Sequence, residues 1–190
     1  MPGVGSFDGC RPLCVLLALT SMLGTMNEYR QQAKMVDVGR KAVTVRTAVA
    51  SGQLVVRAET LDRIRKGDLM KGDALHTARV AGIMAAKRTS EFVPLCHPLP
   101  LEGVDVDIHC VNGAEGCCDA VMVVVRVVTS AKTGVEMEAL TAVTAALMTL
   151  YDMAKSIDHD MVIGEIRLDA KTGGSSGDYV RSDARAVSSE

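Results

Sequence analysis

Asp152 and Lys155 stand three residues apart in Leu150-Tyr151-Asp152-Met153-Ala154-Lys155. That spacing puts two side chains on one helix face, where a carboxylate and an ammonium can pair. On an open surface such pairs are common and contribute little. Here Leu150, Met153 and Ala154 flank the pair, which predicts partial burial and shifted proton affinity. A desolvated lysine of this kind serves as a general acid or base near neutral pH. Upstream, Lys132-Thr133-Gly134-Val135-Glu136-Met137-Glu138 places two more carboxylates where a helix should begin. Glutamates also suit a helix N-terminus on electrostatic grounds alone. Glu138 and Asp152 fall on nearly the same face of one helix, but roughly 20 Å apart along it. One small reacting centre cannot touch both within a single chain. Either the ligand is long or a second subunit brings the distant end near.

Three further groups have chemical potential. Lys71-Gly72-Asp73 precedes a predicted helix, and exposed amides at a helix start suit a phosphate; a capped helix with a solvated lysine explains the same residues. The P-loop pattern is absent. Pro94-Leu95-Cys96-His97-Pro98 holds a thiol and an imidazole between two prolines. Neighbouring side chains of an extended segment point apart, so Cys96 and His97 are not read as a nucleophile–base pair. His97 is suited to hydrogen-bond a ligand or move a proton, or simply to satisfy a buried carbonyl. Lys87-Arg88 and Lys171, with Lys71 and Lys155, supply the cations that a triphosphate requires.

The elements that must position these groups are legible in outline. Ala139 to Leu150 is apolar on all sides and rich in helix formers, which predicts a helix inside a core, from about Val135 to Ile157. Asp73 should cap a helix from Ala74 to about Arg88. Glu59 to Lys66 reads as a short helix ended by Gly67. Strands are predicted over Leu54–Ala58, over Val104–Ile108 by alternation, over Ala120–Val128 as a β-branched central strand, and over Ile163–Leu168. Val36–Thr47 reads as an edge strand or extended arm, with a turn at Gly52-Gln53 and another at Asn112-Gly113. From Leu54 onward the order is β-α-β-β-α-β, the ferredoxin-like α+β pattern of an antiparallel sheet with helices packed on one face. Residues 1–34 are read as a disordered or dispensable extension, 35–172 as one catalytic domain and 173–190 as a polar mobile tail.

Bulk properties narrow the partners. Net charge is −2 and aromatic residues make up 3% with no Trp, which argues against a nucleic-acid surface or a base-stacking platform. Six cysteines, Cys10, Cys14, Cys96, Cys110, Cys117 and Cys118, lack zinc-finger spacing. Most of them read as free thiols of a cytoplasmic protein. Leu13–Leu23 weakly resembles a signal peptide, against which Asp8 and the thin positive region count. It is too short to span a bilayer, and a start at Met26 or Met35 is an alternative.

Taken together, Lys71-Gly72-Asp73, Ala78 to Ile83, Ala85 to Thr89, Pro94 to Pro98, Lys132 to Thr141, Tyr151 to Lys155 and Asp160 to Gly164 resemble the cyclic pyranopterin monophosphate synthases of molybdenum-cofactor biosynthesis. The resemblance covers about Met35 to Gly177. It implies a lyase that rearranges 3′,8-cyclo-7,8-dihydro-GTP into the pyranopterin with release of pyrophosphate. It implies a homo-hexamer built as a trimer of dimers, with the site between subunits. By carry-over, Asp152, Lys71, Lys155 and His97 are the expected catalytic residues. Leu95, Cys96, His97, Glu136, Met137, Glu138 and Lys171 are the expected substrate-binding residues. No redox cofactor or resident metal is expected; magnesium is compatible with the phosphates, but the sequence carries no dedicated cage. The competing readings are a non-catalytic ferredoxin-like module that binds a nucleotide and regulates a partner, and a secreted disulfide protein.

Overall fold

The computed structural model describes residues 33–114 and 118–182. Two compact units divide the chain, Met1–Ala33 and Lys34–Glu190, and the architecture below is that of the second. The expected N-terminal extension lies outside the described residues apart from Ala33 and Lys34, as do Cys10, Cys14 and Cys117.

The strands are β1 (Thr44–Val56), β2 (Gly103–Val111), β3 (Asp119–Ala131), β4 (Val162–Thr172) and β5 (Tyr179–Val180). The helices are α1 (Ala58–Lys66), α2 (Ala74–Ala86), the single turn α3 (Thr89–Phe92) and α4 (Glu136–Ala154). The sheet order is β2-β3-β1-β4-β5, and every neighbouring pair is antiparallel. This is the ferredoxin-like α+β arrangement, with β5 added at one edge. β3 is paired on both sides, as its β-branched run predicts.

Alternation decides which side of the sheet is covered. Ala48, Ala50 and Leu54 of β1 and Val121, Val123, Val125 and Val127 of β3 are fully buried. They meet Ala139, Ala142, Val143, Ala146, Leu147 and Leu150 of α4 in the core. Gly52 does not make the predicted turn; it lies inside β1, opposite Val123. A Cβ there would stand 2.8 Å from the side chains of Val143 and Leu147. The missing side chain therefore lets α4 settle onto the sheet, which is why the arm and the strand read on either side of Gly52 are one strand. The β1–β4 register shifts beside this point, where Glu165 takes a φ of 54°.

α2 lies alongside α4, close enough that a Cβ on Gly82 would be 3.1 Å from the Ala142 carbonyl oxygen. Asp73 caps α2 as expected, accepting from the His76 amide at 2.9 Å. Gly67 ends α1 in the left-handed region at φ 67°. Beyond Gly173, the chain read as a tail turns back, and Tyr179 pairs with Lys171 as β5.

Candidate active site

The C-terminal end of α4 carries the first cluster. At 3.6 residues per turn, Asp152 and Lys155 face away from Leu150, Met153 and Ala154, which point into the core. The pair is therefore not buried by its flanks as expected: each side chain is 53% exposed. Lys155 Nζ lies 2.8 Å from Asp152 Oδ1. Lys71, from the loop before α2, reaches the other oxygen at 2.5 Å and donates to the Asp152 carbonyl at 3.1 Å. Hydrogen bonds from Lys155 and then Lys71 hold the Asp152 carboxyl down, to about 2. The hydrogen bond and charge of Asp152 push Lys155 up. In the isolated chain Lys155 is thus an ammonium rather than the neutral amine that desolvation would create. The helix start after Gly72 is occupied by its own Asp73 cap, so Lys71 works with α4 and not with the amides of α2.

The N-terminal end of α4 carries the second cluster. A cavity of about 270 Å³ is lined by Leu95, Cys96 and His97, by Thr133–Glu138 except Val135, and by Val36, Val38 and Lys41 from the arm before β1. Cys96 and His97 both contribute to the wall. A turn over Pro94-Leu95 leads into them, closed by the Cys96 amide donating to the Val93 carbonyl at 3.0 Å. Glu138 is 4% exposed. Burial, joined by the charge of Glu136, pushes its carboxyl up, and burial followed by the charge of Glu138 raises the Cys96 thiol. Glu136 pairs with Lys171 of β4 at 3.0 Å.

The structure therefore brings Lys71, Asp152 and Lys155 together at one end of α4. It gathers Leu95, Cys96, His97, Glu136, Met137, Glu138 and Lys171 at the other. Glu138 and Asp152 stand fourteen residues apart on α4, about 21 Å at 1.5 Å per residue. The expectation that Lys71, Lys155, Lys87, Arg88 and Lys171 jointly neutralise one anion is not met within a single chain. Lys87 and Arg88 follow α2 at its end remote from Lys71 and line neither cluster.

Arg46 escaped the sequence reading. It lies on the covered side of β1, in line with Ala48 and Ala50, and is 9% exposed. Its Nη2 donates to the Lys132 carbonyl at 3.4 Å, while Nε has no partner among the described residues. A Cβ on Gly174 would collide with the guanidinium, so the Gly173-Gly174 turn after Lys171 is shaped around Arg46. The one available signal was a guanidinium in register with a run of small inward-facing residues. The arm residues Val36, Val38 and Lys41 carried no such signal.

Among the described residues, no group of three or more His, Cys, Asp or Glu side chains converges as a metal site would require. No described helix is long and apolar enough to cross a membrane. Cys96, Cys110 and Cys118 are free thiols.

Fold and clusters together define a ferredoxin-like α+β protein that carries separate carboxylate–lysine clusters at the two ends of one helix. The chain belongs to the MoaC family, whose model matches residues 35–174. It is 55% identical to cyclic pyranopterin monophosphate synthase 3 of Mycobacterium bovis over 152 residues, 80% of this chain and 83% of that one. It is 49% identical to the cyclic pyranopterin monophosphate synthase of Brevibacillus brevis over 163 residues, 86% and 98% of the two chains. With the Thermomicrobium roseum protein of the same name the identity is 53% over 159 residues, 84% and 93%.

Proposed function

We propose that this protein is a cyclic pyranopterin monophosphate synthase, a lyase that converts 3′,8-cyclo-7,8-dihydro-GTP to the cyclic phosphate and releases pyrophosphate in molybdenum-cofactor biosynthesis. The observation that carries the reading is the Lys71–Asp152–Lys155 cluster, intact in a chain about half identical to relatives of that name. Ring opening and closure require protons to be moved on and off nitrogen and oxygen, work that positioned ammonium, imidazole and carboxyl groups perform. In the cyclisation, a sugar hydroxyl attacks the nearest phosphorus. The bond from that phosphorus to the bridging oxygen breaks, and pyrophosphate departs while the hydroxyl proton passes to a base. Ammonium groups offset the charge that grows on the leaving group.

In this reading Asp152 is the anchor that keeps Lys71 and Lys155 in place, and the two lysines are the acid–base pair. His97, Leu95, Cys96, Met137, Glu136, Glu138 and Lys171 hold the substrate, with His97 also able to move a proton. The buried Arg46, beside the turn that follows Lys171, adds fixed positive charge at the substrate end. The separation along α4 supports an active site completed between subunits, within a hexamer assembled as a trimer of dimers. Magnesium, were it bound with the substrate, would take its ligands mainly from the phosphates. The three free thiols among the described residues favour a cytoplasmic setting.

The test is release of pyrophosphate from the cyclised GTP derivative, abolished in Asp152→Asn and Lys71→Ala. A parent protein that binds the compound without ever releasing pyrophosphate would instead establish a non-catalytic binding module.

A further inference from the structure

Asp158 is completely inaccessible to solvent. A buried carboxylate is tolerated only when its lone pairs are met, and here each oxygen meets two donors. Oδ2 accepts from the Arg57 amide at 3.1 Å and from the Thr60 hydroxyl at 3.0 Å. Oδ1 accepts from the Asp160 amide at 3.2 Å and lies 3.1 Å from Arg57 Nε. The Arg57 guanidinium continues to the Ile157 carbonyl at 2.8 Å. Burial opposes the charge, yet these donors outweigh it and hold the Asp158 carboxyl below the ordinary range.

The two partners of this carboxylate are the segments that lead to the Lys71–Asp152–Lys155 cluster. On one side is the start of α1, whose own N-cap residue Arg57 offers no capping side chain; Asp158 supplies the cap from 101 residues away. α1 then runs through Gly67 and the buried Leu69 into Lys71. On the other side is the end of α4. The Lys155 amide still bonds to the Tyr151 carbonyl at 2.8 Å, and the Ile157 and Asp158 amides both turn back to Ala154 at 2.9 and 3.2 Å. The turn carrying Asp152 and Lys155 thus passes without a break into Asp158.

We infer that Asp158 is a positioning residue for the reaction: its carboxylate fastens the start of α1 to the end of α4 and thereby sets the geometry in which Lys71 and Lys155 share Asp152. This rests on the function proposed above. Asp158 acts through its neighbours, since each of its oxygens is already engaged by two donors.

Asp158→Asn preserves shape but places an NH2 group against two donors whichever way the amide turns. The expected result is a fall in kcat of about 10- to 100-fold, the scale of a misplacement near 1 Å. KM should change little, because the groups at the other end of α4 are untouched. Thr60→Val removes one donor with less disturbance and should move the same quantities less. A second readout needs no turnover: the Asp152 carboxyl, followed by carbon NMR, should titrate near 2 in the parent and at higher pH in both variants as its lysines loosen. The inference is overturned if Asp152 titrates unchanged in a folded variant. It is also overturned if kcat falls only in proportion to the folded fraction, with a pH profile that superimposes on the parent's. If Asp158→Asn does not fold, Thr60→Val decides by the same criteria. A parent that never releases pyrophosphate defeats the functional reading alone, and the NMR titration still decides the role of Asp158.

Discussion

Asp152 Oδ2 lies 2.5 Å from Lys71 Nζ although 81 residues separate the two in the chain. The contact spans two helices: α4 ends at Asp152 and its neighbours, and the loop before α2 delivers Lys71. The loop that delivers Lys71 leads directly into α2, which packs closely on α4 at Gly82.

Replacing Asp152 by Asn should remove the anchor of both lysines while leaving the core intact. Turnover is expected to fall about 10²- to 10⁴-fold, the range for a lost general acid or base, with an unchanged melting temperature. Lys71→Ala should fall in the same range. Pyrophosphate release and thermal unfolding, measured on the same preparations, check this.

The two ends of α4 allow a mixing experiment. Asp152→Asn and Lys171→Ala chains, each inactive alone, are unfolded, mixed in equal amounts and reassembled. If each site takes one helix end from either of two subunits, about a quarter of the sites in a random symmetric assembly regain both intact ends. Activity that stays at zero in a correctly assembled mixture rules out a site shared between subunits.

Burial raises the Glu138 pKa, and the sign of its effect on stability follows. The folded state binds this proton more tightly than the unfolded chain, so ionised Glu138 opposes folding at neutral pH. The penalty sets in as pH rises through the raised folded-state pKa and is absent below the ordinary carboxylate range. Glu138→Gln should therefore melt at a higher temperature than the parent at pH 7, with the difference gone near pH 3. Equal melting temperatures at pH 7 would contradict the burial argument.

Gly52 offers a test of the packing. In Gly52→Ala the new methyl meets Val143 and Leu147 at 2.8 Å and Ile166 at 3.1 Å. Overpacking of this kind costs about 1–3 kcal/mol. The urea midpoint should drop with the slope unchanged. Activity per folded molecule should hold, since Gly52 touches neither cluster.

The helices were legible because their signals are local. Asp73 before an Ala-rich run, Gly67 after a charged turn and the apolar stretch from Ala139 to Leu150 each specify an element from within a few residues. Gly52 misled because glycine punctuates loops in sequence, whereas here it answers to two side chains of α4 more than 90 residues away. Leu150, Met153 and Ala154 suggest partial burial of Asp152 and Lys155, but helical geometry sends these apolar neighbours to the opposite face and leaves the pair exposed. Cys96 and His97 are singled out by their place between two prolines, but only the tertiary structure sets both in the wall of one cavity beside the start of α4.

Taken by itself, the chain determined the residue types available for chemistry, the order of its elements and the 20 Å problem posed by one helix with charged groups at both ends. These follow from short-range spacing, which the peptide backbone converts directly into position. Tertiary structure alone decided that Lys71 belongs to Asp152 rather than to the start of α2, that Arg46 is buried beside the turn after Lys171, and that Asp158 joins α1 to α4. Each of these is a meeting of charges far apart in sequence, and only the packing of helices against the sheet brings such groups within hydrogen-bond reach.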